Sequence, residues 1–172
     1  MVNGVAPAKK AIPFTDDNVD PELVHQVFRP YLVTLTLAAE DRLKLTDTGN
    51  LTGASLQLLC NETGINKRSL EASRPNEMNT QNFSNIHHTL RSAKHLRQYR
   101  KNLKATPRGR ALLKDWPMNE DGILPGFSTR DVVMRAGALV AEILASESED
   151  SYADYLMALA LSCCSRAKKA LQ

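Results

Sequence analysis

Cysteine is scarce in this chain: three residues in 172, two of them adjacent at Cys163 and Cys164. That number and spacing exclude a disulfide framework and point to a reduced, cytoplasmic setting. Aromatic residues make up 5% of the chain, with eight glycines and eight prolines. Such a composition disfavours a β-sandwich and favours Leu- and Ala-rich helices. No apolar run approaches the roughly 20 residues a membrane helix needs, and Lys9 and Lys10 are not followed by the apolar stretch of a signal peptide. Zinc-type spacing is missing too: no Cys-x-x-Cys or His-x-x-x-His is present, and His88 and His95 stand about two helical turns apart. Glycine-rich phosphate loops and Gly-x-Ser-x-Gly are absent, and the single Ser-x-x-Lys match, Ser165 to Lys168, falls near the end of the sequence. The expectation is a protein without catalytic residues, cofactor or metal, and not an enzyme.

What the chain does have is polarised charge. The stretch from Asn85 to Asp115 holds nine Lys or Arg against one acid, a local balance of +8. The whole chain carries only +3, so the remainder sums to −5. One basic face attracts polyanions, and an acidic remainder favours solubility.

The coarse reading of the chain is mainly α with a small antiparallel β-sheet. Residues 1–20 lack any period and read as an arm. Asp20-Pro21-Glu22 is a helix start, with an acidic N-cap and Pro at the first helical position. Pro30 is expected to interrupt that helix, with a second apolar segment from Tyr31 to Ala39. Leu43 to Thr46 alternates as a short strand, Asp47 to Asn50 turns, and Thr52 caps a helix ending at Gly64. Asn66 to Asn79 reads as a loop. Phe83, Ile86, Leu90 and Ala93 then fall within roughly an 80° arc of a helix. The opposite flank of the same wheel is read as collecting His87, Arg91, Lys94, His95 and Gln98, with Ser84 and His88 beside them, and Arg97 is expected to continue the helix. A hairpin from Tyr99 to Thr106 is expected next, with Lys101-Asn102 near its tip. Thr106 and Pro107 open a further helix.

Residues 116–128 contain two prolines and two glycines and read as a linker. A pair of C-terminal helices is expected over 129–172. The first carries Val132, Val133, Ala136, Leu139, Val140 and Ile143; the second carries Tyr152, Tyr155, Leu156, Leu159 and Cys163. Their wide apolar faces either complete one core or form a homodimer interface.

One internal echo stands out. Leu43-Lys44-Leu45-Thr46-Asp47-Thr48-Gly49 returns as Leu103-Lys104-Ala105-Thr106-Pro107-Arg108-Gly109. Each reads as a strand ending in Thr, a tight turn with Gly, then a helix. The two are expected to pair in one small sheet.

The order helix, strand, turn, strand, helix across the basic stretch resembles a winged helix. Leu103 to Leu113 looks like the wing strand and following helix of regulators similar to the MarR group. Lys44 to Leu51 and Lys104 to Leu113 are closer still to the uncharacterised actinobacterial winged-helix-like domain related to plasmid ORF-3 family proteins. The resemblance covers about Leu23 to Asp115. Two departures are Ala105, where an apolar strand residue is usual, and Asn50-Leu51-Thr52, where an aromatic-Leu-Pro step often follows. The resemblance implies a winged-helix domain over 21–115 and double-stranded DNA as partner, with a transcription-regulating role. The candidate nucleic-acid contacts are His87, His88, Arg91, Lys94 and His95 on the helix. Arg97, Arg100, Lys101 and Lys104 on the wing, and Arg108 and Arg110 at the next helix start, complete the set. The alternative is a protein-interaction module that keeps the scaffold and uses its C-terminal helices. An effector ligand is not readable from the sequence.

Overall fold

The computed structural model describes residues 20–65 and 80–146. Its elements run α1 (Pro21–Ala39), α2 (Gly53–Thr63), α3 (Gln81–Ser92), β1 (Leu96–Tyr99), β2 (Asn102–Ala105), α4 (Pro107–Lys114), β3 (Met118–Asn119), β4 (Gly122–Ile123) and α5 (Thr129–Ser146). The protein is mainly helical with small antiparallel strand pairs. The N-terminal arm, the stretch read as a loop at 66–79 and the last helix expected near Tyr152 to Cys163 lie outside the described residues, save for Asp20. Among the described residues, no helix is long and apolar enough to cross a membrane.

Helix α1 organises the rest: α2, α3, α4, α5 and β2 all pack against it. Asp20 starts it as expected, its carboxylate accepting from the Glu22 amide at 2.9 Å. The expected break at Pro30 does not occur; one helix of 19 residues runs through it. A proline inside a helix costs about 3 kcal/mol. Here Pro30 is buried, and so are Phe28, Tyr31, Leu32 and Leu35 on the same helix. Full burial of each large apolar side chain gains about 1.5–3 kcal/mol, so the buried row outweighs the defect.

The first copy of the echo forms a short extended segment. Leu45 bridges Leu51, and Lys44 bridges Asn102 on β2. Between Leu45 and Leu51 the chain reverses through Gly49 at φ +83°, a left-handed position that glycine adopts cheaply. Thr52 then caps α2, and Gly64 at φ +73° closes it, both as expected. The second copy lies on β2, so the two copies do pair: the Leu45 amide donates to the Lys101 carbonyl, and the Leu103 amide to the Leu43 carbonyl. Their turns differ. Thr46 opens a reversal before its helix, whereas Thr106 caps α4 directly.

Residues 116–128 are more than a linker. Trp116 and Met118 are buried in the core shared by α1, α3 and α5. The Trp116 ring lies 5.7 Å from that of Phe28, and its indole N–H donates to His25 Nδ1 at 3.1 Å. Helix α5 joins this core through Val132, Ala136, Leu139 and Ile143 and packs on α1 and α3. Spacings of three and four put these four on one face.

Candidate nucleic-acid interface

Helix α3 shows why its neighbours matter. Phe83, Ile86 and Leu90 point into the core as their period requires, and His87 and Thr89 are buried too. Both α1 and α5 press on this helix, so more than one face is covered. Among the described side chains, Asn82, His88 and Ser92 remain open, with Ser84, Asn85 and Arg91 half-buried beside them.

The helix ends at Ser92, earlier than the apolar period suggests. The Lys94 amide donates to the Arg91 carbonyl, and the His95 amide to the Leu90 carbonyl. These two bonds are those of a Schellman end, in which the residue occupying the Lys94 place is left-handed and usually glycine. Lys94 holds φ +61°. The chain then enters the hairpin at once. Arg97 belongs to β1 rather than to the helix, facing Lys104 across the strands. The tip is Arg100-Lys101, because Tyr99 pairs with Asn102. Arg100 takes φ +54° at the first central position of this two-residue turn, a position given to glycine in type II′ hairpins.

Two of the expected contact residues are corrected. His87 is 0% exposed and His95 is 1% exposed, so neither ring can reach a ligand. His95 belongs to a cluster with two partly exposed partners, Glu142 and Arg108. Its Nε2 lies 2.7 Å from Glu142 Oε2, and Arg108 Nη2 lies 3.1 Å from the same oxygen. Burial holds the His95 pKa below its ordinary value and outweighs the opposing pull of Glu142. The ring is therefore neutral near pH 7 and donates its Nε2–H to the carboxylate. This cluster ties α5 to the junction of α3 and the hairpin, and it draws Arg108 towards α5.

His87 lies against His88, ring centres 4.8 Å apart. Burial, then His88 and Arg91, push its pKa down to about 4. An unfolded chain takes up this proton near 6.5, so between the two values the unfolded state binds more protons. The stability carried by the neutral ring is whole above pH 6.5 and is lost as pH falls towards 4, by about 3 kcal/mol. Urea midpoints at pH 7 and pH 4.5 should therefore fall more steeply for the wild type than for His87→Leu. Equal slopes in the two proteins would contradict this.

The remaining cations are brought together from the end of α3 through the hairpin. Lys94, Arg97 and Arg100 are exposed, and Arg91 is half-buried. Among the described residues none of these four has an ion-pair partner. Tyr99, 50% exposed, has Arg100 Cζ and Lys104 Nζ each 5.5 Å from its ring centre. Lys101 and Lys104 are engaged, by Asp47 at 2.6 Å and Asp41 at 3.1 Å. Arg110 is exposed on α4. Sequence reasoning missed Asn85 and Ser92 on α3, Lys44 hydrogen-bonded to Asn102 beside the hairpin, and both acids. The echo was the one available signal for Lys44, since it places that residue on a strand partnering β2. Among the described residues, no group of three or more His, Cys, Asp or Glu side chains could hold a metal ion. Comparison with family models, with curated proteins and with solved structures finds no match for the chain.

Proposed function

We propose that the chain is a winged-helix protein that binds double-stranded DNA, with α3 as the reading helix and β1–β2 as the wing, and that it serves as a cytoplasmic transcriptional regulator. One observation carries the reading. Four cations without ion-pair partners among the described residues run in sequence from helix to hairpin tip, and two of them occupy positive-φ positions. Lys94 and Arg100 stand where glycine would satisfy the backbone at lower cost, which the fold alone does not call for. Long cations there favour a ligand of dense negative charge. Duplex DNA carries one phosphate charge per about 1.7 Å. On α3, Asn85 and His88 supply the amide and imidazole groups suited to base edges in a major groove.

The test separates fold from function at those two positions. The double variant Lys94→Gly, Arg100→Gly is expected to keep its stability or gain up to about 1 kcal/mol per site. Its affinity for a random-sequence duplex is expected to fall about a hundredfold near 50 mM salt, because two phosphate contacts are lost. Undiminished affinity would remove the basis of the proposal. The second reading, a protein-interaction module, is favoured by Met134 on α5 at 64% exposure and Phe127 just before it at 42%. Under that reading the double variant behaves like the wild type, and Met134→Ser loses the partner.

A further inference from the structure

Three residues other than glycine have positive φ among the described residues: Asp41, Lys94 and Arg100. Two are the cations just discussed. Asp41 closes α1 in the way Lys94 closes α3: the Asp41 amide donates to the Ala38 carbonyl, and the Arg42 amide to the Leu37 carbonyl. Glycine again suits this place best. Asp41 puts its carboxylate 3.1 Å from Lys104 Nζ on β2. Six residues on, in the turn closed by Gly49, Asp47 holds Lys101 Nζ at 2.6 Å. Both acids flank the short segment that bridges β2 through Lys44 and Asn102. One piece of chain therefore delivers two carboxylates to the two wing cations that are not free.

We propose that Asp41 and Asp47 form an acidic brake on the wing, a regulation of the same site that rests on the DNA reading. The carboxylates occupy Lys104 and Lys101 and withhold them from phosphates. At the end of α3 and on the hairpin, phosphate contacts of the wild type then come from Arg91, Lys94, Arg97 and Arg100, which have no ion-pair partner among the described residues. Backbone contacts supply nearly all non-specific binding. Withholding two of them leaves the protein more dependent on what α3 reads, so the brake selects for sequence by weakening attachment everywhere else.

The experiment compares the wild type with Asp41→Asn, Asp47→Asn on a random-sequence duplex, with affinity measured across a salt series. Asparagine tolerates the left-handed backbone of Asp41 as well as aspartate does, so the fold is retained. Asp47→Asn alone gives a second arm, at an 82% exposed side chain in a turn. The double variant is expected to bind about tenfold tighter near 100 mM salt, since exposed ion pairs of this kind are weak and two new phosphate contacts replace them. The log-log salt slope should steepen by about 1.8, two further contacts at 0.9 each. A variant that binds no tighter, or more weakly, overturns the brake and makes the two acids positioning residues for the lysines. If wild type and variant both fail to bind near 50 mM salt, the DNA reading falls and takes the brake with it. Binding by the variant alone would mean that the brake is complete.

Discussion

Replacing Gly109 by alanine is expected to destabilise the protein by about 3 kcal/mol or more, the upper range for overpacking a closed site. A Cβ at this position would lie 2.3 Å from the His95 carbonyl oxygen and 3.0 Å from Leu35 Cδ2. The carbonyl has little freedom to retreat. It accepts from the Thr106 amide at 2.9 Å, and the Thr106 hydroxyl, which donates to the Lys94 carbonyl at 2.7 Å, lies 3.1 Å from it. That hydroxyl also accepts from the Gly109 amide at 3.1 Å, capping α4. Thus one contact joins the helix end, the wing base and the next helix, and a methyl group there pushes against all three. The Thr-x-x-Gly step has a mechanical meaning here: Thr caps, and Gly lets α4 touch the backbone after α3. Gly137 is the control, an exposed glycine within α5 with nothing inside 4 Å of its Cβ position. Gly137→Ala should be neutral or stabilise by up to about 1 kcal/mol. For a domain of this size the Gly109 variant should lose about 10 °C in melting temperature. Equal melting temperatures for the two variants would rule out the tight junction.

Charge reversal at Arg91→Glu, Lys94→Glu should cost about a thousandfold in duplex affinity near 50 mM salt. Two phosphate contacts account for about two decades of this by counterion release, and repulsion of the new carboxylates adds the rest. That takes a micromolar binder out of the measurable range. Neither side chain makes an ion pair among the described residues, so the loss is expected without a matching loss of stability. Changes at Arg97 or Arg100 should weaken all duplexes alike. Changes at Asn85 or His88 should alter preference between sequences. An affinity unchanged by the double reversal would place any ligand elsewhere on the molecule.

Local chemistry made several of these elements legible in the sequence. Asp20, Thr52 and Thr106 announce their helices because an N-cap oxygen serves the amides that follow it. Gly64 closes α2 for the complementary reason. The echo foretold the pairing of the two Lys-x-Thr strands. What escaped was set at long range. Pro30 is tolerated because other elements bury α1 around it, a fact that no local window contains. His87 looked like part of a basic flank until α1 and α5 covered that side of α3. The end of that helix was hidden because Lys94 takes a place where glycine would have signalled a stop. Arg97 was consequently read as helical, and the hairpin as starting three residues late. Residues 116–128 carry the composition of a linker, yet Trp116 finds a partner in His25, 91 residues earlier. The candidate site was legible as a charge count. Which cations are free and which are held by Asp41, Asp47 and Glu142 emerged only with the fold.

The most direct test of the central claim is the affinity of the wild type for a random-sequence duplex at about 50 and about 200 mM salt. The four cations of the helix end and hairpin that have no ion-pair partner among the described residues, at 0.9 counterions each, give a log-log slope of about −3.6, so the fourfold rise in salt should weaken binding about a hundredfold. A slope near that value, with micromolar or tighter binding at the lower salt, is the predicted result. No binding at the lower salt, or binding that salt leaves unchanged, would contradict a phosphate-binding face on α3 and the hairpin.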